Sequence, residues 1–383
     1  MDHRARHFAK KKRLSHDPRY ALNAICPYYT MFPLEYPLTV LDKHRNRPRL
    51  KLLDPFCGRG SSLYAGRIRG HEVFGIDCSP IAVAIARAKI ATCQSDEVVN
   101  LAREILNSYR AADIPHGEFW EWAFAKNTLR SLCTLRRGLV GKRSDAANVL
   151  RAVCLGALHG PLTKSPQRPS YFSNQMPRTF SSKPAYSVRY WKKKELYAPE
   201  VKIVDVIQRR VNRLGLATTP RLSGRSMIHA GDSRLAQSYA RLPHNINLVI
   251  TSPAYYGMST YISDQWLRHW FLGYAPEVEY GVQSQISQGS PDQFAKSLAQ
   301  VWSRVGDHLA SDGKMYVRFG SIPSRLQDPI SLLRKSLQLS THFWRITKIR
   351  PADSSANGRR QAEQMGATSS AVEEHDFEIA VAA

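Results

Sequence analysis

The amino-acid sequence predicts an α/β protein whose doubly wound, mostly parallel sheet is interrupted by a large basic insertion. Three observations carry this prediction. Residues 50–91 follow the order strand, glycine turn, helix, strand, helix, which is typical of a parallel sheet covered by helices. Later apolar runs also end in turn residues, at 230–232, 251–253 and Gly320. Residues 112–222 break this rhythm, which indicates an insertion.

The first half of the predicted sheet lies at residues 48–111. The apolar run 50–53 predicts a short buried strand, which the glycines of 58–62 end as a helix begins. Residues 73–77 predict the second strand. The Ala- and Ile-rich segment 80–91 predicts the helix after it, so this block forms one strand–helix–strand unit with a following helix.

The insertion at 112–222 is predicted to be partly helical and partly irregular. Residues 117–140 and 145–158 show helical patterning. Residues 161–199 are rich in Pro, Ser, Lys and Tyr, which predicts an absence of regular elements. Residues 200–214 predict a helix with arginines on its outer face.

The sheet pattern resumes in residues 223–383. Short apolar runs again alternate with a helical pattern, as in the first half. The predicted elements are strands at 227–229, 246–251 and 313–319, a helix at 292–310, and, after about residue 341, a strand, a polar loop and a last strand at 377–381.

Composition points to a polyanionic partner. The 383 residues include 55 Lys and Arg against 31 Asp and Glu, a net charge of +24, which favours binding to nucleic acid. No apolar run is long enough to cross a membrane, and the basic start of the N-terminal arm (residues 1–47) lacks the apolar core of a secretory signal. Six cysteines without C-x-x-C spacing favour free thiols over zinc or disulfides. We therefore expect a cytoplasmic protein without a metal.

The segment Asp54–Gly60 follows a predicted strand and opens a helix. Its glycines let a ligand approach the backbone closely, and the helix start offers free N–H groups. Asp77 ends the next strand, where a carboxylate can accept hydrogen bonds from ribose hydroxyls. Leu63 occupies the third glycine position of the dinucleotide motif, and Asp54 suits a charged amino-acid group better than a pyrophosphate.

These motifs resemble a known family. D-P-F-x-G-x-G followed by G-I-D-x-S-P is similar to the S-adenosylmethionine site of amino-methyltransferases that act on DNA. The resemblance implies a Rossmann-like S-adenosylmethionine methyltransferase sheet. It implies that Asp77 binds the ribose and that Asp232 and Ser233 contact the adenine. The residues it assigns to the methionine part are Asp54, Phe56, Gly58 and Gly60.

The aromatic segment before the first strand extends this resemblance. Tyr28–Pro33 is similar to the aromatic-Phe-Pro segment that closes over the methionine end of the cofactor in the same family. The resemblance therefore implies cofactor contacts for Tyr29 and Phe32. It covers most of residues 20–110 and 225–320 and covers the insertion poorly.

The segment 251–256 carries the predicted chemistry and is similar to the S-P-P-Y motif of methyltransferases that modify exocyclic amines. Such an amine is a poor nucleophile because its lone pair is delocalised into the ring. The Ser252 side chain and the Pro253 carbonyl can each accept one N–H and turn the lone pair outward. Tyr255 can stack on a base flipped from the duplex. Ala254 replaces the second proline of the motif.

In the family, serine at the first position of this motif occurs mostly in enzymes that methylate cytosine at N4, whereas Asp or Asn occurs mostly in enzymes that methylate adenine at N6. Ring-carbon methylation is disfavoured because no Pro-Cys pair stands in a matching context. The resemblance therefore implies a DNA cytosine-N4 methyltransferase. Adenine N6 as target, an RNA guanine-N2 methyltransferase, and an inactive nucleic-acid-binding protein with a site decayed at Ala254 remain alternatives.

Cations interleaved with aromatic residues predict the DNA contacts. Positive charge suits phosphates and planar rings suit bases, so residues 112–222 are the candidate target-recognition region. The predicted DNA-binding residues are Arg178, Arg189, Lys192 and Lys193 in the insertion, and Arg359 and Arg360 in the polar tail loop. We expect double-stranded DNA as a partner and, if the enzyme belongs to a restriction-modification system, a cognate restriction endonuclease.

Overall fold

A seven-stranded sheet organises the described part of the chain. The computed structural model describes residues 17–28, 32–161, 168–176, 183–221, 224–257, 265–278, 286, 288–322, 327–352 and 373–381. The strands are β1 (Lys51–Asp54), β2 (Glu72–Asp77), β3 (Met227–Ala230), β4 (Ile246–Thr251), β5 (Leu309–Ser321), β6 (Trp344–Pro351) and β7 (Glu373–Val381). Their order is β3-β2-β1-β4-β5-β7-β6. The first five run parallel, and β7 lies antiparallel between β5 and β6.

Twelve α-helices accompany these strands within the described residues. They are α1 (Glu35–Asp42), α2 (Ser61–Ile68), α3 (Pro80–Ile90), α4 (Ser95–Ser108), α5 (Glu118–Ala123), α6 (Lys126–Gly138), α7 (Asp145–Ala157), α8 (Pro184–Lys193), α9 (Ile203–Val211), α10 (Trp266–Phe271), α11 (Pro291–His308) and α12 (Pro329–Gln338). The parallel core and its helical connections confirm the predicted α/β, Rossmann-like fold class. None of the described helices is long and apolar enough to cross a membrane.

The strand order reverses between β1 and β4. Successive strands run outward from β1 to β3 on one side and from β4 to β5 on the other. In doubly wound sheets ligands bind at the carboxyl ends of the strands at such a switch point. Asp54 ends β1 and Thr251 ends β4, so the predicted cofactor and reaction motifs flank this point.

The chain divides into two compact units. The sheet unit comprises residues 30–86, 221–260 and 282–383, and the helical unit comprises 1–29, 87–220 and 261–281. The helical unit thus takes in residues 87–111 and 261–281 as well as nearly all of the predicted insertion. The functional division at residues 47, 111 and 222 stays a prediction.

Apolar residues on the central strands hold the sheet unit together. Leu248, Val249 and Ile250 of β4 are fully buried, as expected for a parallel strand covered on both faces. Trp302 of α11 is also fully buried, and its indole N–H donates to Ser336 Oγ on α12 at 2.9 Å. Trp302 and Val249 belong to one hydrophobic cluster, so α11 packs on the sheet that carries the candidate site.

Tryptophans form the core of the helical unit. Trp120 packs against Trp270 with ring centroids 4.6 Å apart, and Trp191 is fully buried. The structure corrects the prediction that the arginines of α9 lie on its outer face. Arg209 and Arg210 donate to the carbonyls of residues 169 and 170, because the irregular chain there offers unpaired acceptors.

Two further sequence expectations are corrected. The helical segment 117–140 is split into α5 and α6, because Phe124 is extended while its side chain is buried. The region 161–199, predicted to be irregular, contains α8. Pro184 stands in the first turn of α8, where its missing N–H costs nothing, and Val188 and Trp191 bury one face. Proline, which interrupts a helix from within, here starts one.

Candidate active site

The glycine turn, residues 54–60, links β1 to α2. Gly58 has a φ of +48° and Gly60 a φ of +75°, in the left-handed region that glycine adopts without strain. A Cβ on Gly60 would lie 2.9 Å from Ala86 Cβ, so α3 excludes a side chain there. At Gly58 a Cβ would meet only the Phe56 carbonyl at 4.0 Å, so this backbone faces open space.

Asp54 lies beneath the glycine turn and is 2% exposed. Its carboxylate accepts hydrogen bonds from Ser62 Oγ, from Thr251 Oγ1 at 2.6 Å and from the Phe56 N–H at 3.1 Å. Burial raises the pKa of Asp54 to about 6, although these hydrogen bonds favour the charged form. The structure therefore places Asp54 as a holder of the turn, while a direct contact with a ligand stays a prediction.

Asp77 ends β2 beside the glycine turn. One carboxylate oxygen accepts the Gly58 N–H at 2.8 Å and the other accepts the Ser79 N–H at 2.8 Å. The residue is partly exposed, and each oxygen keeps a second lone pair for another donor. Burial raises its pKa above the ordinary value. Asp77 can thus brace the turn and still accept a hydroxyl.

Asp232 follows β3, next to β2 in the sheet. Arg234 holds its carboxylate through Nε at 3.0 Å and a terminal nitrogen at 2.5 Å. Partial burial disfavours the charged form, but the hydrogen bonds from Arg234 outweigh it and keep the pKa of Asp232 below its ordinary value. Ser233 is buried. A ligand amine would share the Asp232 carboxylate with Arg234.

The β4 turn, residues 252–257, begins at the carboxyl end of β4. Ser252 is partly exposed, Pro253 is buried and Ala254 is exposed. The Gly257 N–H donates to Gln288 Oε1 at 2.6 Å. The serine predicted to accept an amine proton is thus accessible, and the position that departs from the family motif lies on the surface.

Tyr255 is only 8% exposed. Its ring meets Phe319 of β5 edge to face, with centroids 5.7 Å apart, and its hydroxyl donates to Glu374 of β7. Burial and then the Glu374 charge hold the pKa of Tyr255 well above its ordinary value. Stacking on a base would require this ring to leave its packing, so that predicted role remains untested.

Hydrogen bonds connect the four predicted motifs across one sheet edge. The Gly231 N–H, at the end of β3, donates to the Asp77 carbonyl at 3.0 Å. Asp77 accepts the Gly58 N–H, and Asp54 at the base of the glycine turn accepts the Thr251 hydroxyl of β4. Motifs up to 197 residues apart in sequence therefore form one structural unit.

Of the remaining predicted cofactor contacts, Phe56 and Phe32 lie within the described residues and Tyr29 does not. Phe56 is partly exposed and meets Trp302 edge to face at 6.1 Å. Phe32 is partly exposed and meets Tyr36 edge to face at 5.4 Å. Tyr29 lies outside the described residues.

The described candidates for DNA binding lie on α8 in the helical unit. Arg189, Lys192 and Lys193 are exposed. Lys192 pairs with Glu118 and lies 5.9 Å above the ring of Trp122. The other candidates, Arg178, Arg359 and Arg360, lie outside the described residues.

Sequence reasoning missed three residues. Glu374 and Arg318 lie in strands and carried no motif; Glu374 stands before the predicted last strand, residues 377–381, and Arg318 lies within the predicted strand 313–319. Tyr197 is 75% exposed and stacks on Trp122 at 5.5 Å, which gives the basic surface an exposed aromatic face. The run of aromatics around α8 indicated such a surface without identifying this ring.

Comparisons with known proteins find solved structures of similar fold, but with low TM-scores. No protein-family model and no curated protein matches the chain. The rRNA methyltransferase aviRa of Streptomyces viridochromogenes is 12% identical, with 96% of this chain and 93% of that chain covered and a TM-score of 0.33. The TehB-like SAM-dependent methyltransferase of Corynebacterium glutamicum is 9% identical, with 90% and 87% covered and a TM-score of 0.31. Likenesses with such scores carry no weight for function.

Proposed function

We propose that this chain is an S-adenosylmethionine-dependent methyltransferase that modifies the N4 amine of cytosine in double-stranded DNA. The observation that carries the proposal is the hydrogen-bonded edge described above. It joins the glycine turn, Asp77, the Asp232 turn and Thr251, the residue before Ser252, at the switch point of a doubly wound sheet.

The residues present fit the cofactor. The open backbone at Gly58 would receive its methionine part, and the partly exposed Asp77 carboxylate would accept its ribose hydroxyls. Asp232, held by Arg234, would face the adenine. When bound, S-adenosylmethionine would supply an electrophilic methyl group on a sulfonium sulfur.

Ser252 and Pro253 would act on the target amine. The partly exposed Ser252 hydroxyl accepts one N–H, and the Pro253 carbonyl accepts the other. Both acceptors hold the amine hydrogens aside, so that the nitrogen lone pair points away from the ring system. This effect needs no covalent nucleophile, and it suits an exocyclic amine rather than a ring carbon.

The first experiment incubates the purified chain with methyl-labelled S-adenosylmethionine and mixed genomic DNA, then identifies the labelled nucleoside. N4-methylcytosine is expected. N6-methyladenine would keep the amine reaction and overturn cytosine as target. Label found only in a parallel reaction with RNA, or no label at all, would overturn the DNA reaction. Ser252→Ala should lower transfer by about 100-fold while cofactor affinity stays unchanged.

The proposed DNA contact has a matched test of its own. Replacing Arg189, Lys192 and Lys193 by Ala should weaken DNA binding and lower its log–log salt slope by about 2 to 3. The control removes the same charge from β6 by replacing the exposed Arg345, Lys348 and Arg350. Equal losses in the two triple variants would overturn α8 as the contact surface. A cognate endonuclease as partner stays a prediction.

A further inference from the structure

The β4 turn departs from the S-P-P-Y motif at Ala254. A second proline there would fix one backbone angle of the turn, because its ring holds φ at about −65°. Ala254 is exposed and imposes no such restraint. The residues on both sides of it are nevertheless buried, with Pro253 before it and Tyr255 and Tyr256 after it. Contacts from elsewhere in the sheet unit therefore hold the turn.

Two of these contacts involve the tyrosines. The Tyr255 hydroxyl donates to Glu374, as described above, and the Tyr256 ring meets the fully buried Phe294 of α11 edge to face at 5.6 Å. The backbone beyond the tyrosines ends the turn at Gly257, whose φ of +84° lies in the left-handed region. Glycine adopts several backbone conformations at similar cost, so this end of the turn requires a restraint of its own.

Gln288 provides that restraint. Its side-chain oxygen accepts the Gly257 N–H at 2.6 Å, from 31 residues further along the chain. The segment that carries Gln288 is itself held on both sides. Ile286 packs against the hydrophobic cluster of the sheet unit, and Ser290 caps α11 by accepting the Gln293 N–H at 3.2 Å. Gln288 thus connects the end of the β4 turn to the start of α11.

We infer that Gln288 is a positioning residue that takes the place of the second proline of the S-P-P-Y motif. The inference rests on the proposed function and deepens it. Ser252 and Pro253 would contact the amine, and Gln288 acts through the backbone to which they belong. A loose turn would misplace the two amine acceptors, and a misplacement of about 1 Å can cost about 100-fold in rate.

The chemistry of glutamine suits this role. Its amide oxygen accepts a hydrogen bond without carrying a charge, so the contact does not titrate with pH. A carboxylate at the same position would also accept the Gly257 N–H, but it would add a negative charge beside a surface proposed to receive DNA. Gln288→Glu therefore keeps the hydrogen bond and changes only the charge.

The first test needs neither cofactor nor substrate. Gly257 and Gly281 are the only glycines that follow a tyrosine in the sequence, so labelling tyrosine carbonyls with ¹³C and glycine nitrogens with ¹⁵N selects two amide signals by NMR. Tyr280→Phe removes the Gly281 signal and so identifies that of Gly257. Hydrogen exchange at Gly257 should be at least about 10-fold faster in Gln288→Met than in the wild type. Gln300→Met, at an exposed glutamine of α11, is the matched control and should exchange at the wild-type rate.

The second test measures single-turnover methyl transfer at saturating DNA. Gln288→Met should lower the transfer rate by about 10-fold, with unchanged affinities for S-adenosylmethionine and DNA. Gln288→Glu should retain most of the wild-type rate. Ala254→Pro should restore the rate of Gln288→Met, a rescue that a merely structural role of Gln288 would not produce. In the described part of the chain the Ala254 N–H donates to no acceptor, so the proline removes no hydrogen bond there.

The outcomes separate this inference from the proposed function. Equal exchange at Gly257 in Gln288→Met and the wild type would overturn the contact itself. A wild-type transfer rate in Gln288→Met, or no rescue by Ala254→Pro, would overturn Gln288 as the substitute for the proline. Absence of amine methylation by the wild type would overturn the proposed function and the positioning role with it, while the exchange rates would still show whether Gln288 holds Gly257.

Discussion

The glycine turn and the β4 turn both follow buried parallel strands at one sheet edge, but their polar groups are satisfied differently. In the glycine turn, Asp54 and Asp77 take most of their donors from within 19 residues. In the β4 turn, the hydroxyl of Tyr255 bonds to Glu374, 119 residues away. The proposed cofactor half of the site is therefore built locally, whereas the proposed reaction half depends on the late strand β7.

The largest effect expected in the glycine turn comes from Asp54. With a pKa of about 6, the folded state binds a proton between about pH 4 and pH 6 that the unfolded chain has released. This residue should therefore lower the free energy of unfolding as pH rises through that window, by about 3 kcal/mol. Asp54→Asn should remove this slope in urea unfolding series. Asp312→Asn, at a 64% exposed side chain, should retain it. An unchanged slope in Asp54→Asn would contradict the assignment.

The two glycines should differ in stability and in binding. Gly60→Ala combines a left-handed backbone with overlap against Ala86, so we expect a loss of about 2 kcal/mol in thermal or urea unfolding. Gly58→Ala has the backbone cost without the overlap, about 1 kcal/mol, but should weaken cofactor binding. Equal losses of stability would contradict the overlap at Gly60. Full cofactor affinity in Gly58→Ala would show that the open space at Gly58 is not a ligand surface.

Asp77 tests whether the locally built half binds the cofactor. Asp77→Asn replaces one acceptor oxygen by a donor, so S-adenosylmethionine affinity measured by calorimetry should fall by about 10-fold. Glu72→Gln, at the opposite end of the same strand, is the control and should leave the affinity unchanged. Similar affinities in both variants would show that Asp77 does not bind the cofactor.

The smallest effect is expected at Ala254. Because this residue is exposed, Ala254→Pro should change the free energy of unfolding by less than about 1 kcal/mol and turnover by less than about threefold. Ala254→Gly serves as the control for loosening the same turn. A gain in turnover above about 10-fold in Ala254→Pro would favour a site decayed by loss of the second proline.

Much of the fold was predictable because its signals are local. The apolar runs of β1, β2 and β4 and the glycines after β1 predicted the parallel core within a residue or two. The helix α8 was not predictable, because Pro184 at its start is a residue that usually interrupts helices and because its stripe of apolar residues is short. The helix forms in that segment because it places Trp191 in the core of the helical unit.

The residue types that end the strands can be read from the amino-acid order. The same order predicts that the glycine turn, Asp77, the Asp232 turn and Ser252 lie at one edge, because all parallel strands point their carboxyl ends the same way. The burial of Asp54, its hydrogen bond from Thr251 and the contact of Tyr255 with Glu374 arise from the packing of distant segments. Strand pairing between β5 and β7 sets that contact, and pairing between segments so far apart leaves no signal in local spacing.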